Sequence, residues 1–513
     1  MGKKRLLIVG WDGAPYDKIQ PWIEKRELPT LEKIVKNGSF GPLKTTPLTI
    51  SSCAWTTMAT GNNAGKHGVY DFFGNNFLGD TYLRKPENAT SRKTQTFWNK
   101  VSKYDLKIGL VNVPYTFPAE RTNGFMIGGM LSPGVENKNF TYPINLLKDY
   151  EKLNDYIIDI EGAKEKDRTE FVQEIYKTID ERTNLIIHLL EQHDLDIFFC
   201  VYTSPDRFSH YLWHFFDEDH PYRKNETYDE IKKYEKSLLE LYKKLDRSLE
   251  KICDSFSPTD TIVLSDHGFS SIYRFFHINK WLQQKGYLKF KPKEQWVSKD
   301  HAILNPDRKY IFGKVDWNNT VAYSIGKRGT VYINLADREP NGIVKKTEYD
   351  KIVSELIEEL KQVKDPMTDK RVVRDVLSRE QIFNGKQLDK APDILIFFKP
   401  GYTSLGYAME LDSPELFMSN DRTDIPLEMG IERGHGIICF SGQSFLKRTI
   451  EKATLEDIAP TLLHLFGIRP DEDIDGKILD VFGNEHSKSE LRKRDVDPLE
   501  KQTISKLLKQ GKI

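Results

Sequence analysis

Short apolar runs separated by longer amphipathic stretches set the rhythm of the chain. The runs at Arg5–Gly10, Lys107–Val111, Asp196–Tyr202, Thr261–Ser265, Asp393–Phe398 and Gly436–Phe440 are mostly continuous in aliphatic and aromatic residues. Continuous runs of this length fit strands covered on both faces, whereas a half-exposed strand would alternate. Between them the apolar spacing changes to three and four. Thr169–Gln192 places Val172, Ile175, Ile179, Ile186 and Leu190 on one side. Thr227–Cys253 opens with the capping pair Thr227 and Glu230, then carries Ile231, Tyr234, Leu238, Leu241, Leu245 and Ile252. That stripe runs for only about three heptads, short for a coiled-coil seam, so packing on a sheet is the better reading. The alternation predicts an α/β fold: a doubly wound, mostly parallel central sheet with helices on both faces. From Ser270 to about Gly430 the texture changes to Lys, Asp, Asn and Gly, with weaker strand signals such as Thr330–Leu335. This stretch reads as a long cap insertion (about 270–430) within a catalytic unit spanning 1–483. The charged tail, 484–513, carries one amphipathic set, Ile504, Leu507 and Leu508, which reads as docking on the body.

Composition narrows the class. Of the 513 residues, 38% are hydrophobic and 12% aromatic, enough to bury a sizeable core. Lys+Arg (76) and Asp+Glu (76) cancel, which argues against a nucleic-acid partner held by counterion release. No apolar run approaches the roughly 18 residues of a membrane span. The first run leads straight into Trp11-Asp12-Gly13, unlike a secretory signal. Cys53, Cys200, Cys253 and Cys439 are scattered without C-x-x-C pairing, as expected of reduced thiols in a cytoplasmic chain. A disulfide scaffold, a collagen-like chain and an integral membrane protein are thereby excluded.

Ligands of open α/β sheets collect at the carboxyl ends of strands. Asp12 follows the first run, and Asp206, with His210 four residues on, follows Asp196–Tyr202. Asp266-His267-Gly268 follows Thr261–Ser265, and Arg433-Gly434-His435 precedes Gly436–Phe440. Singly, each has a bland reading: an Asp after a strand caps a helix, and Asp and His four apart form a helix-surface pair. Asp-His-Gly is more specific, since adjacent ligands need a sharp turn that glycine supplies. Together the three Asp and three His predict a site for two divalent metal ions. Mixed carboxylate and imidazole donors suit Zn²⁺, with Mn²⁺ and Fe²⁺ as competitors. A nucleophile candidate lies in Thr49–Gly61, a loop entering a helix, where Thr49, Ser51 and Ser52 all offer hydroxyls. A hydroxyl there sits among free N–H groups that attract phosphate, and metal contact would lower its pKa.

In this order, these residues resemble the alkaline phosphatase superfamily, and within it the type I phosphodiesterase/nucleotide pyrophosphatase family with its microbial phosphohydrolase and phosphomutase relatives. The resemblance rests on Gly10-Trp11-Asp12-Gly13, Ala54–Gly61, Gly65-Lys66-His67-Gly68, Asp206 with His210, Asp266-His267-Gly268, Gly434-His435-Gly436 and Asp457–Thr461. It implies one ion held by Asp206, His210 and His435, and a second held by Asp12, Asp266, His267 and the nucleophile. In the family the nucleophile stands nine residues before the Thr of a Thr-Gly pair, which implies Ser51. The implied activity is hydrolysis of small-molecule phosphomonoesters or phosphodiesters through a phosphoseryl intermediate. A phosphomutase returning the phosphoryl group to its substrate, and a non-catalytic binding protein of the same fold, are the alternatives. Sulfatase chemistry is disfavoured because Cys53-Ala54-Trp55 lacks the Pro and Arg of that motif. Nucleotide-cleaving members carry a phosphate-contacting Asn where this chain has Phe72, which turns expectation away from nucleotides. His67 reads as structural rather than as a ligand.

Overall fold

Leu6, Leu7, Ile8, Val9 and Trp11 are all fully buried, because the strand Leu6–Trp11 lies at the centre of a nine-stranded sheet. The computed structural model describes residues 3–77, 84–160, 167–292, 314–326, 328–405, 415–424 and 427–483; the tail set at Ile504, Leu507 and Leu508 lies outside them. The central strand pairs in parallel with Ile197–Tyr202 on one side and Asp260–Leu264 on the other. Ile108–Val113 and Gly124–Gly128 extend the parallel set, and Thr141–Tyr142 closes that edge antiparallel. Beyond Asp260–Leu264 come antiparallel His435–Gly442, then Gly38–Lys44 and Ala453–Thr454. The result is a mixed sheet in an alkaline-phosphatase-like arrangement.

Both faces are covered, which explains why the strand sequences do not alternate with polar residues. Leu7, Val9 and Trp11 pack with helices Arg168–Gln192 and Ser237–Phe256. Leu6 and Ile8 pack on the other face with Ser51–Thr60 and Ile458–Leu465. Each fully buried aliphatic side chain contributes roughly 1.5–3 kcal/mol, so the strand rim is a stiff platform.

Three elements differ from expectation. The helix expected over Thr227–Cys253 is two, Tyr228–Tyr234 and Ser237–Phe256. The capping box of Thr227 and Glu230 forms, but the Ser237 hydroxyl donates to the Tyr234 carbonyl at 2.6 Å and competes with the helical ladder. The run near Asp393–Phe398 does form a strand, Ile394–Phe398, but in a separate four-stranded sheet with Ala322–Ser324, Thr330–Ile333 and Val373–Ser378. An apolar run reports burial and not which sheet provides it. That sheet and the helix Lys346–Lys361 enclose a core of their own, from Phe276 to Phe417. Third, His435–Gly442 runs against its neighbours, so its beginning, rather than its end, reaches the rim where the parallel strands finish. The chain arrives there through Gly430–Glu432, which pairs with the start of Phe269–Phe276 and sets Glu432 opposite Phe269.

Candidate metal centre and catalytic pocket

Four backbone turns at this rim point carboxylates and imidazoles at one another. Asp12 ends the central strand; its Oδ2 accepts from the Trp55 indole N–H at 3.0 Å, leaving Oδ1 inward. Gly13 follows with φ +73°, and a Cβ there would meet the Asp206 backbone at 3.2 Å, so the turn requires glycine. The Gly13 N–H donates to Asp266 Oδ1 at 3.3 Å. His267 Nδ1 donates to the Gly268 carbonyl at 3.0 Å, which leaves the Nε2 lone pair facing inward. That nitrogen is 3.4 Å from both Asp12 Oδ1 and Asp266 Oδ2, and 3.9 Å from Asp206 Oδ1.

A second group adjoins the first. Asp206 and His210 stand one turn apart on the helix Ser204–Leu212, with His210 Nε2 3.4 Å from Asp206 Oδ1. His210 Nδ1 donates to the Gly430 carbonyl at 3.1 Å, fixing the ring so that Nε2 faces Glu432 Oε1 at 3.5 Å. The orientation of Asp206 is held from behind. Arg207 reaches Asp206 Oδ2 at 3.3 Å while its Nε donates to Asp159 at 3.0 Å. Asp159 in turn follows a segment whose carbonyls, Ile157 and Ile158, accept from the fully buried Arg182.

The electrostatics of the cluster are those of acids short of cations. Burial raises Asp12 well above the usual carboxylate range, and the charges of Asp266 and Asp206 add to it. Burial does the same to Asp266, reinforced by Asp206. Burial opposes ionisation of Asp206 and Glu432 too, yet His210 and Arg207 hold Asp206 low, and Arg328 and His210 hold Glu432 low. Five donor atoms aimed inward, Asp12 Oδ1, Asp206 Oδ1, Asp266 Oδ2, His267 Nε2 and Glu432 Oε2, are buried without a hydrogen-bond partner. Buried polar atoms are nearly always satisfied, and bound cations account for all five. Asp12, Asp266 and His267 present atoms within 4.8 Å of one another, as do Asp206, His267 and Glu432. The donor set therefore fits two divalent cations, with His267 between them.

Above the cluster lies a pocket of about 200 Å³ lined by Ser51, Phe72, Asp206, Arg207, His210, Arg328 and Glu432. Ser51 is the first residue of Ser51–Thr60. The rival hydroxyls are elsewhere: Thr49 donates to the Glu432 carbonyl at 3.0 Å, and Ser52 is fully buried. His67 is likewise apart. It accepts from the Val69 N–H and bonds Thr57 Oγ1, and burial lowers its pKa to about 3.

His435 is the one expected ligand that the structure does not bring in. Its side chain is exposed, and it lines a cleft with Lys44 and Arg433 instead. Gly434, at φ +80°, turns the chain between the two positions, so that Glu432 enters the cluster from the strand before the turn. Sequence reading missed Glu432 and its partner Arg328. An acid inside Met429-Gly430-Ile431-Glu432 was the available signal for the first; nothing in the sequence marked the second.

Comparison with known proteins places this geometry. No curated protein matches the sequence. Among solved structures, phosphonoacetate hydrolase from Sinorhizobium meliloti 1021, in complex with phosphonoformate, is similar at 12% identity and TM-score 0.52, over 89% of this chain and 94% of that one. Human ectonucleotide pyrophosphatase/phosphodiesterase 5 is similar at 15% identity and TM-score 0.47, over 92% of this chain and 97% of that one. At these identities the first likeness speaks for the fold alone. The sequence pattern described as type I phosphodiesterase/nucleotide pyrophosphatase matches residues 6–421, well over half of the chain, and spans every residue of the buried cluster except Glu432. The chain thus belongs to the type I phosphodiesterase/nucleotide pyrophosphatase family, a phosphoric ester hydrolase of the metal-dependent kind.

Proposed function

We propose that Ser51 is the nucleophile of this hydrolase and acts on a small phosphate ester. Asp12, Asp266 and His267 would hold one ion, and Asp206, His210 and Glu432 the other. Two imidazoles suit Zn²⁺, while four carboxylates suit Mn²⁺ and Fe²⁺ as competitors. Bound there, the ions would supply positive charge that lowers the pKa of the serine hydroxyl and offsets charge developing on the phosphoryl oxygens. Ser51 Oγ attacks the phosphorus in line as the ester oxygen leaves from the opposite side, giving a phosphoseryl enzyme that water then hydrolyses. The free N–H groups at the start of Ser51–Thr60 offer donors to the same phosphoryl group. Phe72 in the pocket wall and a volume of about 200 Å³ favour a small ester over a nucleotide. The free cysteines, three of them buried, fit a reducing cytoplasm.

The observation that carries this reading is the set of five unpartnered, buried donor atoms, two of them on Asp206 and Glu432, which line the same pocket as Ser51. Ser51→Ala tests it. Hydrolysis of p-nitrophenyl esters should fall by about 10²-fold or more while metal content is largely kept, because the carboxylate and imidazole donors remain. Mass spectrometry of acid-quenched enzyme should find the phosphoryl adduct on Ser51. An adduct on Thr49 or Ser52, or near-normal turnover by the variant, would move the nucleophile elsewhere.

A further inference from the structure

We infer that the cleft on the far side of the Glu432–Arg328 pair is a subsite for a second anionic group, a carboxylate or phosphate carried by the organic part of the ester. This rests on the reading of Ser51 and its pocket given above. The cleft has a volume of about 450 Å³ and shares Arg328 and Glu432 with the catalytic pocket. One stretch of chain serves both: Lys44, Thr45, Thr46, Pro47 and Thr49 contribute to the cleft, and Leu48, Ile50 and Ser51 to the pocket. An ester with its phosphoryl group at Ser51 therefore has this cleft beside it.

The walls carry more positive than negative charge. Lys44, Arg328, Arg374 and Arg433 line the cleft, with His435 at its edge, against Asp375 and Glu432. Glu432 is engaged by Arg328 and His210. Among the described residues the Arg433 guanidinium donates only to carbonyls, those of Lys399 at 2.9 Å and Tyr402 at 2.8 Å, and meets no counter-ion. Arg374 lies over the Phe397 ring at 5.5 Å. Neither it nor the exposed Lys44 makes an ion pair among the described residues. Two further groups lack a partner: Thr45 Oγ1 in the cleft wall and Arg328 Nε are both buried without a hydrogen bond. Uncompensated cations crowded around a polar recess repel one another, and an anion is the ligand that relieves this while satisfying the free donors. The chain as a whole is neutral, so the excess is local to this cleft.

The test compares p-nitrophenyl phosphate with the same ester bearing a ring carboxylate or a second phosphate, using wild-type enzyme and a K44Q/R374Q double variant. Wild type should show a KM about tenfold lower for one or both anionic esters, the worth of one charge-assisted contact. The two arms show which anion is taken. The double variant should lose that advantage, with kcat unchanged and p-nitrophenyl phosphate kinetics untouched. Equal KM values in wild type, or a double variant that alters all esters alike, would overturn the subsite. If wild type hydrolyses none of them, the catalytic reading has failed and the subsite is tested alone by calorimetry of citrate and pyrophosphate on chelator-treated protein. Binding that the double variant loses supports it; no binding, or equal binding by both proteins, refutes it.

Discussion

Asp266→Asn should make the metal-free protein more stable, and by an amount that grows with pH. Asp12 and Asp266 are fully buried and present ligand atoms within 4.8 Å of each other, where two unit charges repel by about 3.5 kcal/mol at an effective dielectric of about 20. Burial and this repulsion raise both carboxyls well above their usual range. A carboxyl raised in the folded state lends stability that is complete below its unfolded value, about 3.9, and is lost as pH climbs through the folded value. The metal-free wild type must therefore weaken as pH rises above the unfolded value and through the raised folded ones. Asparagine stays neutral at every pH, so it never acquires the charge that the carboxyl takes on as pH rises, and it keeps an oxygen for the Gly13 N–H. Its amide faces Asp12 Oδ1 and His267 Nε2, both now unpartnered, for a net gain of about 1 kcal/mol. Thermal unfolding of chelator-treated proteins across that pH range should show the variant ahead, with the gap widening toward about 3 kcal/mol at the alkaline end. Added Zn²⁺ or Mn²⁺ should raise the melting temperature of the wild type far more than that of the variant. A gap that stays flat with pH, or a variant less stable than wild type, would refute the electrostatic reasoning.

Glu432→Gln should lower the metal content of the purified protein by about one ion, whereas His435→Ala should leave it unchanged; elemental analysis of both variants decides between the two residues. Asp159→Asn removes the anchor of Arg207, and should lower stability by about 2 kcal/mol, the scale of a charge-assisted hydrogen bond. Because Arg207 also holds Asp206, the same variant should bind metal more weakly in a calorimetric titration, and glutamate at position 159 should restore part of that affinity.

The residues legible in the sequence share one property: each lies within four residues of a strand end that the sequence marks by an apolar run. Asp12, Asp206, Asp266 and His267 all meet that condition, His210 stands one helical turn beyond Asp206, and the structure gathers all five. Ser51 depended instead on a counted spacing, and the structure gives it the pocket wall and a helix start. What the sequence could not carry was the direction of a side chain after a reversal. His435 and Glu432 lie three residues apart on either side of Gly434, and the geometry of that turn decides which of them faces the cluster. Strand order was hidden for a related reason. The run ending at Phe398 and the one ending at Phe440 look alike as apolar text, yet one lies in the second sheet and the other is antiparallel in the first.

The cluster is divided between two parts of the fold, and this has a thermodynamic consequence. Asp12, Asp206, Asp266 and His267 belong to strand ends and the helix of the central sheet, whereas Glu432 and Arg328 arrive from chain that has passed through the second sheet. In the metal-free protein Arg328 neutralises Glu432, and Glu432 meets the central-sheet part through His210 Nε2 at 3.5 Å. A cation taking Glu432 as a ligand competes with that pair and leaves Arg328 free to face an anion in the pocket or the cleft. The same carboxylate thus links ion binding to substrate binding. Arg328 released in this way is a buried cation, and an anionic substrate group in the pocket or the cleft supplies the counter-charge that it loses. Acids that weaken the empty protein are retained in such a place because the bound ion supplies the charge they lack.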